Sequence, residues 1–261
     1  MPDETATDVL RIDDRDHVRI LTLNRPERLN AFNPALLESL HQALAAAAEN
    51  DDVHVVLLTG SGRAFSSGAD LSDMTRLTQS VGAPSVKGIF DSLQDVAERF
   101  PKPLIAAVNG LAVGLGFTIL GYCDFCFVGE SAKLRTPFSQ LGLSPEASSS
   151  YLFPLRMGWA AAARALMLGD WFSAQDLVDC GMAQEVVPDD QLMAVATNFA
   201  ARLAAAPLQS LLATKALMLE AHLPQITAAR IRESEILKQL VGSPANIAAL
   251  KAFAVRRSGG S

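Results

Sequence analysis

The chain has 261 residues, of which 49% are apolar and 19% charged, with a net charge of −6. That composition provides for a sizeable packed core and argues against disorder. The acidic balance, 22 Lys and Arg against 28 Asp and Glu, argues against nonspecific nucleic-acid binding by bulk charge, although it leaves room for a local cation cluster facing a phosphorylated ligand.

In chain order, the opening MPDETATDVL is acidic and carries no basic segment followed by an apolar one, so no secretory signal is read. HVRILTLN (17–24) is a predicted strand, PALLESLHQALAAAAEN (34–50) a predicted helix opened by its proline, and VHVVLLTG (53–60) a second strand ending in a GSG turn. Residues 72–85, rich in Ser, Thr and Gly, read as a loop. VKGIFDSLQDVAERF (86–100) is an amphipathic helix stopped by Pro101 and Pro103, and PLIAAVNG (103–110) and CDFCFVGE (123–130) are further strands. The most apolar stretch, Leu104 to Val128, is interrupted by Asn109, Gly110, Gly114, Gly116, Gly121 and Asp124. No apolar run reaches the ~18–20 residues of a membrane span.

Ser144-Pro145-Glu146 reads locally as a helix start: a serine cap, a proline at the first helical position and an acid in the first turn. Beyond it the strand signals nearly vanish. Helices are expected over 158–169, 173–180, 189–206, 208–221, 224–241 and 244–257. Strand–helix alternation followed by helices alone predicts a layered α/β core with a helical extension.

The candidate chemistries narrow by elimination. The histidines at 17, 41, 54 and 222 form no HxxxH or HExxH pair, and Cys123-Asp124-Phe125-Cys126 is a CxxC without a second pair, so no metal is expected. Three cysteines cannot all pair within one chain, and their apolar surroundings fit a reducing, cytoplasmic setting. Gly60-Ser61-Gly62 is not continued as GxGxxG, and neither a P-loop nor a GxSxG elbow occurs. Two turns remain, RAFSSGADL (63–71) and NGLAVGLGFTIL (109–120), each after a buried strand. Small residues there let backbone approach a ligand, and two N–H groups aimed at one point would form an oxyanion hole. Spacing alone leaves open whether these are such a site or simply tight turns.

NRPERLNAF (24–32), GSGRAFSSGADL (60–71), PKPLIAAVNGLAVGLG (101–116) and the Cys123-Asp124 strand, taken together and in this order, resemble the crotonase (enoyl-CoA hydratase/isomerase) superfamily over nearly the whole chain. The resemblance implies an α/β crotonase fold: repeated ββα units forming a spiral core over 1–200, then a helical trimerisation region over 201–261. It implies a fatty acyl-CoA substrate, no bound cofactor beyond that coenzyme A thioester, and a homotrimer or dimer of trimers; from the charge balance and the short apolar runs, no nucleic-acid or membrane partner is expected. Carried over by motif, the oxyanion N–H groups belong to Ala69 and Leu115. Coenzyme A would lie against Arg28 and Ala31 and along Ser66, Ser67, Gly68, Asp70, Leu71 and Gly114.

Departures from the family pattern set the subtype. The two glutamates with which hydratases of this family position water would fall at Thr118 and Phe138, and neither residue can act as a general base near neutral pH. LGLSPEASSSYLFP instead resembles the peroxisomal-type Δ3,Δ2-enoyl-CoA isomerases, whose lone glutamate corresponds to Glu146. That likeness implies a carboxylate shuttling a proton from C2 to C4 of a 3-enoyl-CoA, with Phe138, Leu141 and Leu143 as candidate apolar walls that would raise its pKa and the neighbouring helix start acting in the opposite sense. The alternatives are hydration or other crotonase-type chemistry, with Asp70 or Asp73 as the carboxylate although both read as exposed helix-start acids, and a non-catalytic acyl-CoA-binding or interaction module.

Overall fold

A tight turn at Asp16 and His17 folds β1 (Leu10–Arg15) back antiparallel onto β2 (Val18–Leu23) in the computed structural model, which describes residues 9–70 and 86–258. Three times thereafter a strand of one sheet is followed within a few residues by a short strand of another. β3 (Val55–Gly60) leads to β4 (Ala64–Ser66), β5 (Leu104–Val108) to β6 (Leu111–Val113), and β7 (Phe125–Gly129) to β8 (Lys133–Arg135). With β9 (Phe172–Ser173) and β10 (Glu185–Val187), the sheets are ordered β1-β2-β3-β5-β7-β10 and β4-β6-β8-β9. From β2 to β10 the larger sheet is parallel. A helical segment follows each strand pair: α1 (Pro34–Glu49), α2 (Val86–Glu98), α3 (Leu115–Thr118) and α4 (Ser149–Ala163). This is the expected α/β architecture of repeated ββα units.

The continuous apolar strands place the core. Val56, Leu58, Ala106 and Val108 pack into one buried cluster, and their neighbours Val55, Leu57, Ile105 and Ala107 into another. Alternation of this kind, with both faces apolar, belongs to a parallel sheet covered on two sides. The first face meets α1 through Leu36, Leu40, Ala43, Leu44 and Ala47, a helical stripe. Asn33 caps that helix by accepting the Leu36 N–H at 2.9 Å. After α5 (Ala174–Asp179), α6 (Leu192–Ala204) covers the second face with Leu192, Ala196, Ala200 and Ala204, four residues apart. Three further helices close the chain, α7 (Leu208–Glu220), α8 (Leu223–Leu240) and α9 (Pro244–Ser258).

Two expectations are corrected. Ser144-Pro145-Glu146 does not start a helix, because α4 begins at Ser149. Ala147 and Ser148 have φ of +58° and +55°, and a right-handed helix cannot run through left-handed residues. The helix expected from 158 therefore begins earlier, breaks at Gly158 (φ 75°, ψ 161°) and ends in a wide turn over Arg164–Leu168. The predicted loop 72–85, Leu71 and Asp73 lie outside the described residues. Among the described residues no helix is long and apolar enough to cross a membrane, and no group of three His, Cys, Asp or Glu side chains gathers to hold a metal ion.

Candidate active site

The two turns singled out in the sequence meet because β4 and β6 pair side by side, Ala64 opposite Leu111 and Ser66 opposite Ala112. The turns that follow touch backbone to backbone. A Cβ on Gly68 (φ +84°) would lie 2.5 Å from the Val113 carbonyl oxygen and 3.5 Å from the Leu115 nitrogen; one on Gly116 would lie 2.3 Å from the Ser66 carbonyl oxygen. Only glycine permits that approach.

Ala69 and Leu115 thus come from adjoining turns. The bridge between Phe32 and Ala69 uses the Phe32 N–H to Gly68 O (2.8 Å) and the Asp70 N–H to Phe32 O (3.0 Å), not the Ala69 N–H. Leu115 opens α3, so its N–H has no carbonyl one turn back. Among the described residues neither N–H donates to a backbone carbonyl. Gly114 fixes the entry to α3: its N–H donates to Arg135 O at 3.0 Å, and its carbonyl accepts from Phe117 and Thr118 at 2.9 Å each.

Residues 25–32 hold the first turn in place. Fully buried Ser66 donates its hydroxyl to Asn30 O at 2.8 Å and accepts the Gly68 N–H at 3.2 Å. Ser67 donates through its N–H to Leu29 O (2.9 Å) and through its hydroxyl to Arg28 O (3.4 Å). Asn30, with φ +53°, accepts the Arg25 N–H at 2.8 Å and donates to the carbonyls of Ser61 (2.9 Å) and Ala64 (2.7 Å). Arg25 donates to Ala31 O at 2.7 Å and pairs with Asp70 at 3.2 Å. Arg28 is exposed and Ala31 buried on the same segment. Asp70, read from sequence as an exposed acid, is instead a half-buried partner of Arg25 that ties the turn down.

Glu146 lies across from α3. The Thr118 hydroxyl, wholly buried, donates to Glu146 Oε1 at 2.6 Å, and it also lies 3.3 Å from the Gly114 carbonyl oxygen. Burial pushes the Glu146 carboxyl up to about 8; the Thr118 hydrogen bond pulls it down, and the negative charge of Glu233 adds to the rise. The neighbouring helix start exerts little opposing pull on Glu146, since the N–H groups of Ser148 and Ser150 are taken at 2.7 Å by Glu233 of α8. Phe138 is buried and Leu141 and Leu143 are half-buried on the turn leading to Glu146. A carboxyl of this kind can accept and return a proton near neutral pH, and two free N–H donors can receive the negative charge that develops meanwhile.

The structure thus gathers the 28–31, 66–70 and 114–118 segments and joins Glu146 to the last of them. Sequence reasoning misses four residues of this assembly. Thr118 was read only as the absence of an acid. Asn30 and Arg25 carry a weak signal, an Asn within a polar turn of the kind that visits left-handed backbone. Glu233 carries none, sitting in an ordinary amphipathic helix.

A profile of the family described as enoyl-CoA hydratase/isomerase matches residues 13–258. Among curated relatives, the 1,2-epoxyphenylacetyl-CoA isomerase of Escherichia coli K12 is 39% identical over 73% of this chain and 74% of that protein. Human enoyl-CoA delta isomerase 2 is 37% identical over 71% of this chain and 48% of that protein, so the match spans about half of the relative's length. The 2,3-dehydroadipyl-CoA hydratase of E. coli K12 is 30% identical over 94% of each. A crystal structure of an enoyl-CoA hydratase/isomerase from Pseudoalteromonas atlantica T6c superposes with a TM-score of 0.90 at 31% identity, covering 95% of this chain and 97% of that one.

Proposed function

The chain belongs to the enoyl-CoA hydratase/isomerase family of crotonase-fold enzymes, and from that premise we propose that it converts 3-enoyl-CoA to 2-trans-enoyl-CoA by moving one proton on Glu146. The observation that carries this reading is the Glu146 carboxyl turned onto α3 and gripped by Thr118 at 2.6 Å, where the hydratase pattern would set a glutamate in place of the threonine.

Ionised Glu146 removes a proton from C2. The electrons of that C–H bond pass into the conjugated system and onto the thioester oxygen, which the Ala69 and Leu115 N–H groups receive; one such donor contributes about 3–4 kcal/mol in the transition state. The dienolate then takes the proton back from Glu146 at C4, and the double bond ends between C2 and C3. No water enters, so no second carboxylate is needed to activate one. A carboxyl near 8 is matched to the task, since it binds the proton well enough to carry it and releases it readily. On the same reading coenzyme A lies along Arg28, Ala31 and the backbone of 66–70, and the exposed Leu217, Met218, Ile231 and Ile236 of the helical region after residue 200 supply apolar surface for a trimer or a dimer of trimers.

Hydration is the second reading, favoured by the E. coli hydratase that matches 94% of the chain. Uncharged Thr118 and Phe138 stand against it. Offering the purified protein 3-enoyl-CoA and 2-enoyl-CoA in separate assays distinguishes the two. Conjugated product from the first alone is expected, whereas 3-hydroxyacyl-CoA formed from the second at a comparable rate would sink the isomerase reading.

A further inference from the structure

We propose that Glu233 is a positioning residue for the proton shuttle: its carboxylate holds the turn that presents Glu146 to the substrate. The proposal rests on the reading of Glu146 as the proton carrier.

Glu233 projects from α8, 85 residues along the chain from Ser148, and is buried. Its Oε2 accepts the N–H of Ser148 and its Oε1 the N–H of Ser150, each at 2.7 Å. These donors lie two and four residues past Glu146, at the start of α4. A helix start is ordinarily capped by its own side chain, but Ser148 makes no such bond here. The remote carboxylate caps the helix instead, satisfying one donor with each oxygen.

The turn it grips is one that needs holding. Ala147 and Ser148 are consecutive non-glycine residues in left-handed backbone, a conformation that persists only where the surroundings over-determine it. Around it, the Ser148 hydroxyl donates to Ile226 O of α8 at 3.2 Å and accepts from the Tyr122 hydroxyl at 3.2 Å. Tyr122 ends the 3-10 turn that continues α3, the element carrying Leu115 and Thr118. Ser149 closes the turn on Glu146 itself, its hydroxyl donating to Glu146 O at 2.6 Å. One buried acid on α8 therefore fixes the backbone of the proton carrier relative to the helix that bears the oxyanion donor.

The charge has a second effect. Glu233 stands behind Glu146 and strengthens its hold on a proton. Burial pushes Glu233 itself up, while the Ser148 and Ser150 donors pull it down. Among the described residues, the other titratable or charged groups around this turn include Tyr122, which burial raises, Glu98 of α2 beyond it, which pairs with Arg230 of α8, Arg232 beside Glu233, and Tyr151 of α4, hydrogen-bonded to His222.

The test compares Glu233→Gln, which keeps the reach and loses the charge, with Glu233→Asp, which keeps the charge and loses the reach. Plateau kcat on 3-enoyl-CoA, KM, the pH profile of kcat and thermal melting are read for both. In each variant kcat should fall at least about ten-fold with KM within about two-fold of wild type. The midpoint of the rising limb should move to lower pH in Glu233→Gln and stay in place in Glu233→Asp. If Glu233→Gln does not fold, Glu233→Asp decides alone. Wild-type kcat in whichever variants fold, or a loss carried by KM instead, overturns the proposal. Failure of the Glu146 reading shows separately, as retained turnover in Glu146→Gln with Glu233 intact.

Discussion

Thr118→Val keeps the buried volume and deletes the hydroxyl that donates to Glu146 Oε1 at 2.6 Å. A hydrogen bond to a charged group contributes about 1.5–3 kcal/mol, and the Thr118 hydroxyl makes it to the ionised carboxylate. Losing it therefore makes ionisation harder. At 1.36 kcal/mol per pH unit, the Glu146 midpoint should rise by about one to two. Starting from about 8, the rising limb of the kcat/KM profile should move to about 9–10. At pH 7, where turnover follows the small ionised fraction, the rate should drop about 10- to 100-fold. The assay is the initial rate of 3-enoyl-CoA isomerisation from about pH 6 to about pH 10. Thr118→Ser, which restores the hydroxyl, should sit close to wild type. A Thr118→Val midpoint that stays in place, or moves to lower pH, refutes the reasoning.

Three other outcomes are expected. Because Glu146 is raised in the fold to about 8 from an ordinary 4.5, its contribution to stability is full below about 4.5 and is lost as pH rises through about 8. Glu146→Gln escapes that loss, so its unfolding free energy, followed by urea melts across pH, should exceed the wild type's by a margin that grows between those limits, on the order of a few kcal/mol at most; a gap independent of pH would contradict the assigned burial. Gly68→Ala puts a Cβ 2.5 Å from Val113 O at a φ of +84°, prying apart the two turns that carry the oxyanion donors and the coenzyme A contacts, and should cost at least about 10²–10³ in kcat/KM; steady-state kinetics near wild type would remove these turns from the site. Asn30→Ala removes the acceptor of the Arg25 N–H and the donor to Ser61 O, leaves Ala64 O only its longer contact with Asn109 at 3.4 Å, and places alanine at φ +53°. Urea unfolding should show a loss of about 2–4 kcal/mol, and a loss below about 0.5 kcal/mol would mean that water serves those groups equally well.

Much of the scaffold was legible because burial on both faces writes itself as continuous apolar strands, as in VVLLTG and LIAAV. β1 escaped notice because LRIDDR is an exposed, charged edge, which suits an edge strand and disguises it. β4, β6, β8, β9 and β10 are two or three residues long, too short for any period to register. Within the site, the glycine turns and Glu146 could be found by motif. What could not be read were contacts made across the fold. Thr118 reaches Glu146 over 28 residues and Glu233 reaches Ser148 over 85, and no local pattern encodes either. The mistaken helix start at Ser144 has the same origin. Serine, proline and glutamate do favour a cap locally, but two left-handed residues held by Glu233 delay the helix to Ser149.

The most direct measurement compares turnover of 3-enoyl-CoA with acyl-CoA binding in Glu146→Gln. Turnover should fall at least about 10³-fold while the acyl-CoA Kd stays within a few-fold of wild type, since only the proton carrier is lost. Near-normal isomerisation by that variant would contradict the assignment of Glu146.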